Sequence, residues 1–191
     1  MSSCGKISAN ILIDCDNPLT GGVNDRLILV NKDDWDQATI TPGSGNVIAN
    51  IVMATAAVGF KFEGKNNSVE PRQALVKQRY AEVYDHEVTF KVFTADSDTK
   101  EQLEKLAKGK VVAIVENNWK GDDGKGAFEA YGVETGLFLQ ELERTLADAD
   151  TQGAYNLVLR SSEQSKESHL PATIWSSSYA ITKGIVDALL T

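Results

Sequence analysis

The stretch Val88–Glu116, VTFKVFTADSDTKEQLEKLAKGKVVAIVE, contains the fold in miniature. Val88, Phe90 and Val92 alternate with Glu87, Thr89 and Lys91, the period-two pattern of a strand with one buried face. Asp98-Thr-Lys-Glu101 then sets an N-cap acid three residues ahead of a glutamate, a variant of the capping box. Leu103, Leu106 and Ala107 form an apolar stripe at helical spacing, so a helix is predicted over Asp98–Lys108. Glu101 with Lys105 and Glu104 with Lys108 support it in the favourable order, and Gly109 stands where a left-handed residue ends a helix. Lys110–Glu116 is rich in β-branched residues and reads as a strand returning to the sheet that the helix covers.

Outward from this unit the chain reads almost entirely as strands. On the N-terminal side, Ile7, Ala9, Ile11, Ile13 and Cys15 alternate and predict a strand, followed by a loop at Asp16-Asn-Pro-Leu-Thr-Gly-Gly22. Further strands are predicted at Arg26–Val30, Val47–Ala54 and Val58–Phe62, with a polar connection in which Trp35 caps the core. Gly64–Pro71 reads as a polar loop, and Arg72–Phe93 as a long hairpin with a polar tip. On the C-terminal side, strands at Ala127–Val133, Gly136–Thr145 and Ala154–Leu159 precede a polar loop at Ser161–Ser168. A terminal helix over Tyr179–Leu190 would bury Ile181, Ile185, Ala188 and Leu189. Seven to nine strands around one inserted helix exclude a βαβ repeat. They predict a mainly β fold, a sandwich or barrel, with a C-terminal helix in addition.

With 191 residues, 42% of them apolar, the chain can bury a sizeable core, and one domain is expected. The 19 Lys and Arg against 27 Asp and Glu give a net charge of −8, a field that repels polyanions and argues against sequence-specific nucleic-acid binding. No basic region followed by an apolar run opens the sequence, and no stretch approaches the roughly 20 apolar residues of a membrane span, so a soluble protein made in the cytosol without a membrane anchor is expected. Cys4 and Cys15 are too far apart for a paired metal motif and are expected to be reduced, partly buried thiols.

No constellation of residues supports catalysis. In Tyr84-Asp-His-Glu87 a strand would put Asp85 and Glu87 on the face opposite His86, so the acids cannot converge on the imidazole. Asp96-Ser-Asp-Thr-Lys-Glu101 and Asp122-Asp-Gly-Lys-Gly126 lack the ligand run of a calcium loop. Gly43-Ser-Gly45 lacks the flanking strand and helix of a nucleotide site, and Gly-x-Ser-x-Gly is absent. Neither enzymatic activity, a metal nor a cofactor is expected.

Leu27-Ile-Leu-Val-Asn-Lys-Asp-Asp34, Tyr131-Gly-Val-Glu-Thr-Gly-Leu137 and Gly153-Ala-Tyr-Asn-Leu-Val-Leu-Arg-Ser-Ser-Glu163, with strands arrayed around one helix, resemble the tail tube proteins of tailed bacteriophages and related ring-forming tail and connector proteins. The resemblance covers most of the chain. It implies one tail-tube-like domain over residues 1–191, with an extended N-terminal segment and long hairpin loops, acting as a structural virion protein. Self-association into rings, commonly hexamers, would stack into a channel through which DNA passes as non-specific cargo, with other tail or connector proteins as partners. Assembly would take place in the host cytoplasm. Under this resemblance Gly64, Asn66, Val69, Glu70 and Pro71 are the expected inter-subunit contact between stacked rings, and Ser2–Ile7 a peripheral arm. Alternatives are a head-tail connector, a terminator ring or a capsid decoration protein, and beyond these a ligand-binding β-barrel.

Overall fold

The computed structural model describes residues 7, 9–12 and 15–191. Eleven strands and three helices follow in the order β1 (Val23–Asn31), α1 (Lys32–Gln37), β2 (Thr39–Pro42), β3 (Val47–Val52), β4 (Phe60–Glu63), β5 (Val69–Lys77), β6 (Glu82–Val92), α2 (Ser97–Leu106), β7 (Val111–Asn117), β8 (Phe128–Tyr131), β9 (Leu137–Arg144), β10 (Tyr155–Ser161), β11 (Ala172–Ile174) and α3 (Tyr179–Ala188). The fold is mainly β, with α2 inserted between strands and a C-terminal helix, as the sequence pattern predicts.

All the strands belong to one mixed sheet, ordered β2-β3-β11-β8-β7-β9-β10-β6-β5, with β1 lying between β7 and β4. The sheet divides at β7. β8 runs beside residues 113–116 of β7, whereas β9 touches it only through Val111 and Leu137 before leaving with β10. Gly132 and Gly136, at φ 74° and 79°, bend the chain between β8 and β9. That conformation strongly favours glycine.

The split creates two cores, and β1 and β7 belong to both. Leu27, Leu29, Val111, Ala113 and Val115 join Val88, Phe90, Leu157, Leu159 and Leu103 in the first. Ile28, Val30, Val112 and Ile114 join Trp35, Ile48, Phe128, Ile174 and Val186 in the second. Burial of both faces explains the unbroken apolar run of β7, which one-sided strands such as β6 lack. Helix α2 covers the first core through Leu103, and α1 and α3 cover the second through Trp35 and Val186.

Several boundaries and faces differ from the sequence expectation. Residues 7, 9–12 and 15–22 contain no strand; Ile7, Ile11 and Leu12 are exposed, and Ser8, Ile13 and Asp14 lie outside the described residues. Residues 1–6, which include Cys4 and most of the expected arm, also lie outside, and Cys15 is exposed rather than partly buried. The cap of α2 is Asp96, whose carboxylate accepts the Thr99 amide at 2.7 Å, and Gly109 does not take the left-handed conformation. At the C-terminal helix Leu189 is buried and Ile185 packs on the second core as expected, whereas Ile181 and Ala188 are exposed and Thr182 and Val186 are buried, the Thr182 hydroxyl donating to the Ser178 carbonyl and accepting the Ser176 amide. The polar connection after β1 contains α1 and β2, with Trp35 buried as expected.

Candidate functional site

The strands β9-β10-β6-β5 form a four-stranded antiparallel ribbon. One face packs on the first core: Val69, Phe90 and Leu157 line up across three strands, while Leu142, next in the row on β9, is exposed. The opposite face carries Arg72, Glu87, Arg160 and Phe138 in one row, and Glu70, Thr89, Val158 and Glu141 in the next. Along this face Glu87 lies 3.8 Å from Arg72 and 3.5 Å from Arg160. Arg160 also donates to Asp85 at 2.8 Å. The two arginines are thus engaged by acids, while Glu70, Glu141 and Glu143 are exposed.

Among the described residues both long sides of the ribbon are open: β5 pairs with β6 alone, and β9 beyond Leu137 with β10 alone. A row of unpaired backbone groups on each side is a template for another strand. Pro71 supplies no N–H, so a strand added to β5 would bond along the residues after it, Arg72–Lys77.

The five residues predicted for inter-subunit contact are distributed around this ribbon. Gly64 and Asn66 lie in a short loop of residues 64–68, whereas Val69, Glu70 and Pro71 are the first residues of β5 and not loop. Val69 is buried in the first core and Glu70 is exposed. The loop is fixed to β1: the Gly64 amide donates to the Asp25 carbonyl at 2.6 Å and the Ser68 amide to the Asp25 carboxylate at 3.1 Å.

Beside this loop a cleft of about 1120 Å³ opens between β4 and α2, lined by Phe60, Phe62, Phe93 and Leu106 with Asp96 and Asp98 at its rim. Among the described residues β4 pairs with β1 alone, and Phe60–Glu63 line the cleft. Phe60 is 48% and Phe93 38% exposed, and Lys65 sits 5.7 Å from the Phe93 ring centre.

His86 serves the corner between β8 and β9. It is buried; the Gly132 amide donates to its Nδ1 at 3.2 Å and its Nε2–H donates to the His169 carbonyl at 3.1 Å. Burial holds its pKa below the ordinary histidine value despite the nearby carboxylates of Glu167, Asp85 and Glu134. Asp85 turns away from it, as strand geometry predicts, to bind Arg160 and the buried Lys166. Burial raises the Asp85 pKa, but those two cations outweigh it and leave the carboxyl below its usual range. Glu167 accepts the Glu134 and Thr135 amides at 2.9 Å each. These buried polar groups hold the bend that directs β9 away from β7.

Among the described residues no group of three or more His, Cys, Asp or Glu could hold a metal ion. No described helix is long and apolar enough to cross a membrane. Comparison with family models, curated proteins and solved structures gives no match.

Proposed function

We propose that the protein is a structural subunit that closes into rings by strand addition, and that stacked rings form the DNA-conducting tube of a bacteriophage tail. The observation that carries this reading is the ribbon with two open sides, β5 and β9. Its four strands alternate in direction, so β5 of one copy meets β9 of the next antiparallel when all copies share one ring axis. Such a contact is heterologous: it uses two different surfaces and repeats until the rotation closes. Closure into a barrel removes both open edges.

The polar face then lines either the channel or the outside. Its arginines are occupied by Glu87 and Asp85, and the exposed Glu70, Glu141 and Glu143 outnumber Lys91, which lies in the Asn156–Glu143 row of the same face. A lumen of this kind would let a polyanion slide instead of binding it. The protein acts here as a wall rather than a catalyst, and self-association and other tail components are its partners.

Gln73→Pro and Ala74→Pro test the reading, since adjacent residues of a strand point their amides to opposite sides and one of the two must interrupt the open β5 side. Light scattering across a concentration series, paired with negative-stain electron microscopy, is expected to give rings or tubes for the natural chain and smaller species for one variant. A monomer at every concentration would refute it; finite rings that never lengthen would favour a connector or terminator.

A further inference from the structure

We infer that the tip of the β5–β6 hairpin, residues 78–81, inserts into the β4–α2 cleft of a second copy in the adjacent ring; this inference rests on the ring reading above. The two features lie at opposite ends of one strand. β6 begins at Glu82, beside the tip, and ends at Val92, beside Phe93 and the cleft. Eleven residues of strand separate them by about 35 Å, so neither can reach the other within one subunit. In rings stacked head to tail along these strands, each tip faces the cleft of the next ring.

The chemistry matches. Tyr80 is 86% exposed at the tip, with the Arg79 guanidinium 5.1 Å from its ring centre. An aromatic with an adjacent arginine is the composition of an interface anchor. The cleft offers Phe60 and Phe93 to the ring; of its charged lining, Lys61 is paired with Glu63, Lys105 with Glu101, Lys65 lies over Phe93 and Asp96 caps α2, which leaves the exposed Asp98 to the guanidinium. Gly64 and Lys65 line the same cleft, which places the loop predicted for ring contact on the receiving side.

The test uses the full chain and electron microscopy of the assembled material. Tyr80→Ser and Arg79→Glu should leave single rings intact and abolish their stacking into tubes. Combining Arg79→Glu with Asp98→Lys should restore tubes. Tubes of natural length in Tyr80→Ser, or a natural chain that forms rings but never stacks, would overturn the tip-to-cleft contact alone. A natural chain that remains monomeric would overturn the ring reading and this contact together.

Discussion

The amide of Gly132 donates to Nδ1 of His86, 46 residues away, and so fixes the imidazole as the neutral Nε2–H tautomer. Nδ1 accepts, and Nε2 must therefore carry the proton that bonds the His169 carbonyl. Protonating the ring would set two N–H groups against each other at Gly132.

A pH dependence follows. Because the folded pKa of His86 is lowered, the unfolded chain binds more protons, and stability rises with pH. The contribution is complete above the unfolded value of about 6.5 and is lost as pH falls below it, with a slope of at most about 1.4 kcal/mol per pH unit for one proton. Denaturant midpoints between pH 7.5 and 5 should show this slope, and His86→Gln should remove it. His86→Ala should cost about 2–4 kcal/mol, since Gly132 and His169 lose their partner along with the packing volume.

Asp85→Asn should be among the most damaging isosteric changes in the ribbon. It leaves Lys166, whose side chain is 3% exposed, with the exposed Glu163 at 3.3 Å as its remaining counter-charge, and removing the closer, buried partner costs up to about 3–5 kcal/mol. Chemical denaturation should resolve that loss. Adding Lys166→Met to Asp85→Asn should recover part of it, because the stranded charge is then absent.

Two glycines should respond in opposite directions. A Cβ on Gly132 would meet Leu137 Cγ at 2.6 Å with φ at 74°, so Gly132→Ala should destabilise by about 2–3 kcal/mol. Gly184 lies in α3 with nothing within 4 Å of an added Cβ, and Gly184→Ala should stabilise by about 0.5–1 kcal/mol. Thermal unfolding of the two variants side by side checks both signs.

Tyr179→Phe should weaken the attachment of α3. The Tyr179 hydroxyl donates to the buried Glu116 at 2.6 Å, and that bond together with burial pushes the phenol up to about 12. Its loss should cost about 1–2 kcal/mol in a denaturation experiment, the value of a hydrogen bond to a charged acceptor.

The parts of the fold legible in the sequence are those whose periodicity reports their own burial. β6 and β10 alternate, α2 carries a stripe, and β7 is apolar throughout because it is buried on both faces. Elements specified by distant partners were not legible. β11 has three residues and exists through pairing with β3 and β8, and α1 has six residues fixed by one buried tryptophan. Of the alternating apolar residues from Ile7, the described ones, Ile7, Ala9, Ile11 and Cys15, carry the pattern but form no strand. The expected cap of α2, Asp98, lies inside the first turn instead, because Asp96 carries the carboxylate that accepts the Thr99 amide. The open edges of β5 and β9 depend on which strands lie beside them, a property of strand order that no local pattern encodes.

Sharing β1 and β7 between two cores has a consequence for folding kinetics. Neither core can complete without the pairing of Leu27–Asn31 with Val111–Val115, a loop closure of roughly eighty residues that must precede most of the burial it permits. Slow collapse on the millisecond-to-second scale and a single cooperative unfolding transition are the natural result. During synthesis β5 emerges well before β7, so a nascent chain has the strand but not yet the scaffold that orients it. The open side of β5 is thereby presented in its native geometry by chains that have finished folding.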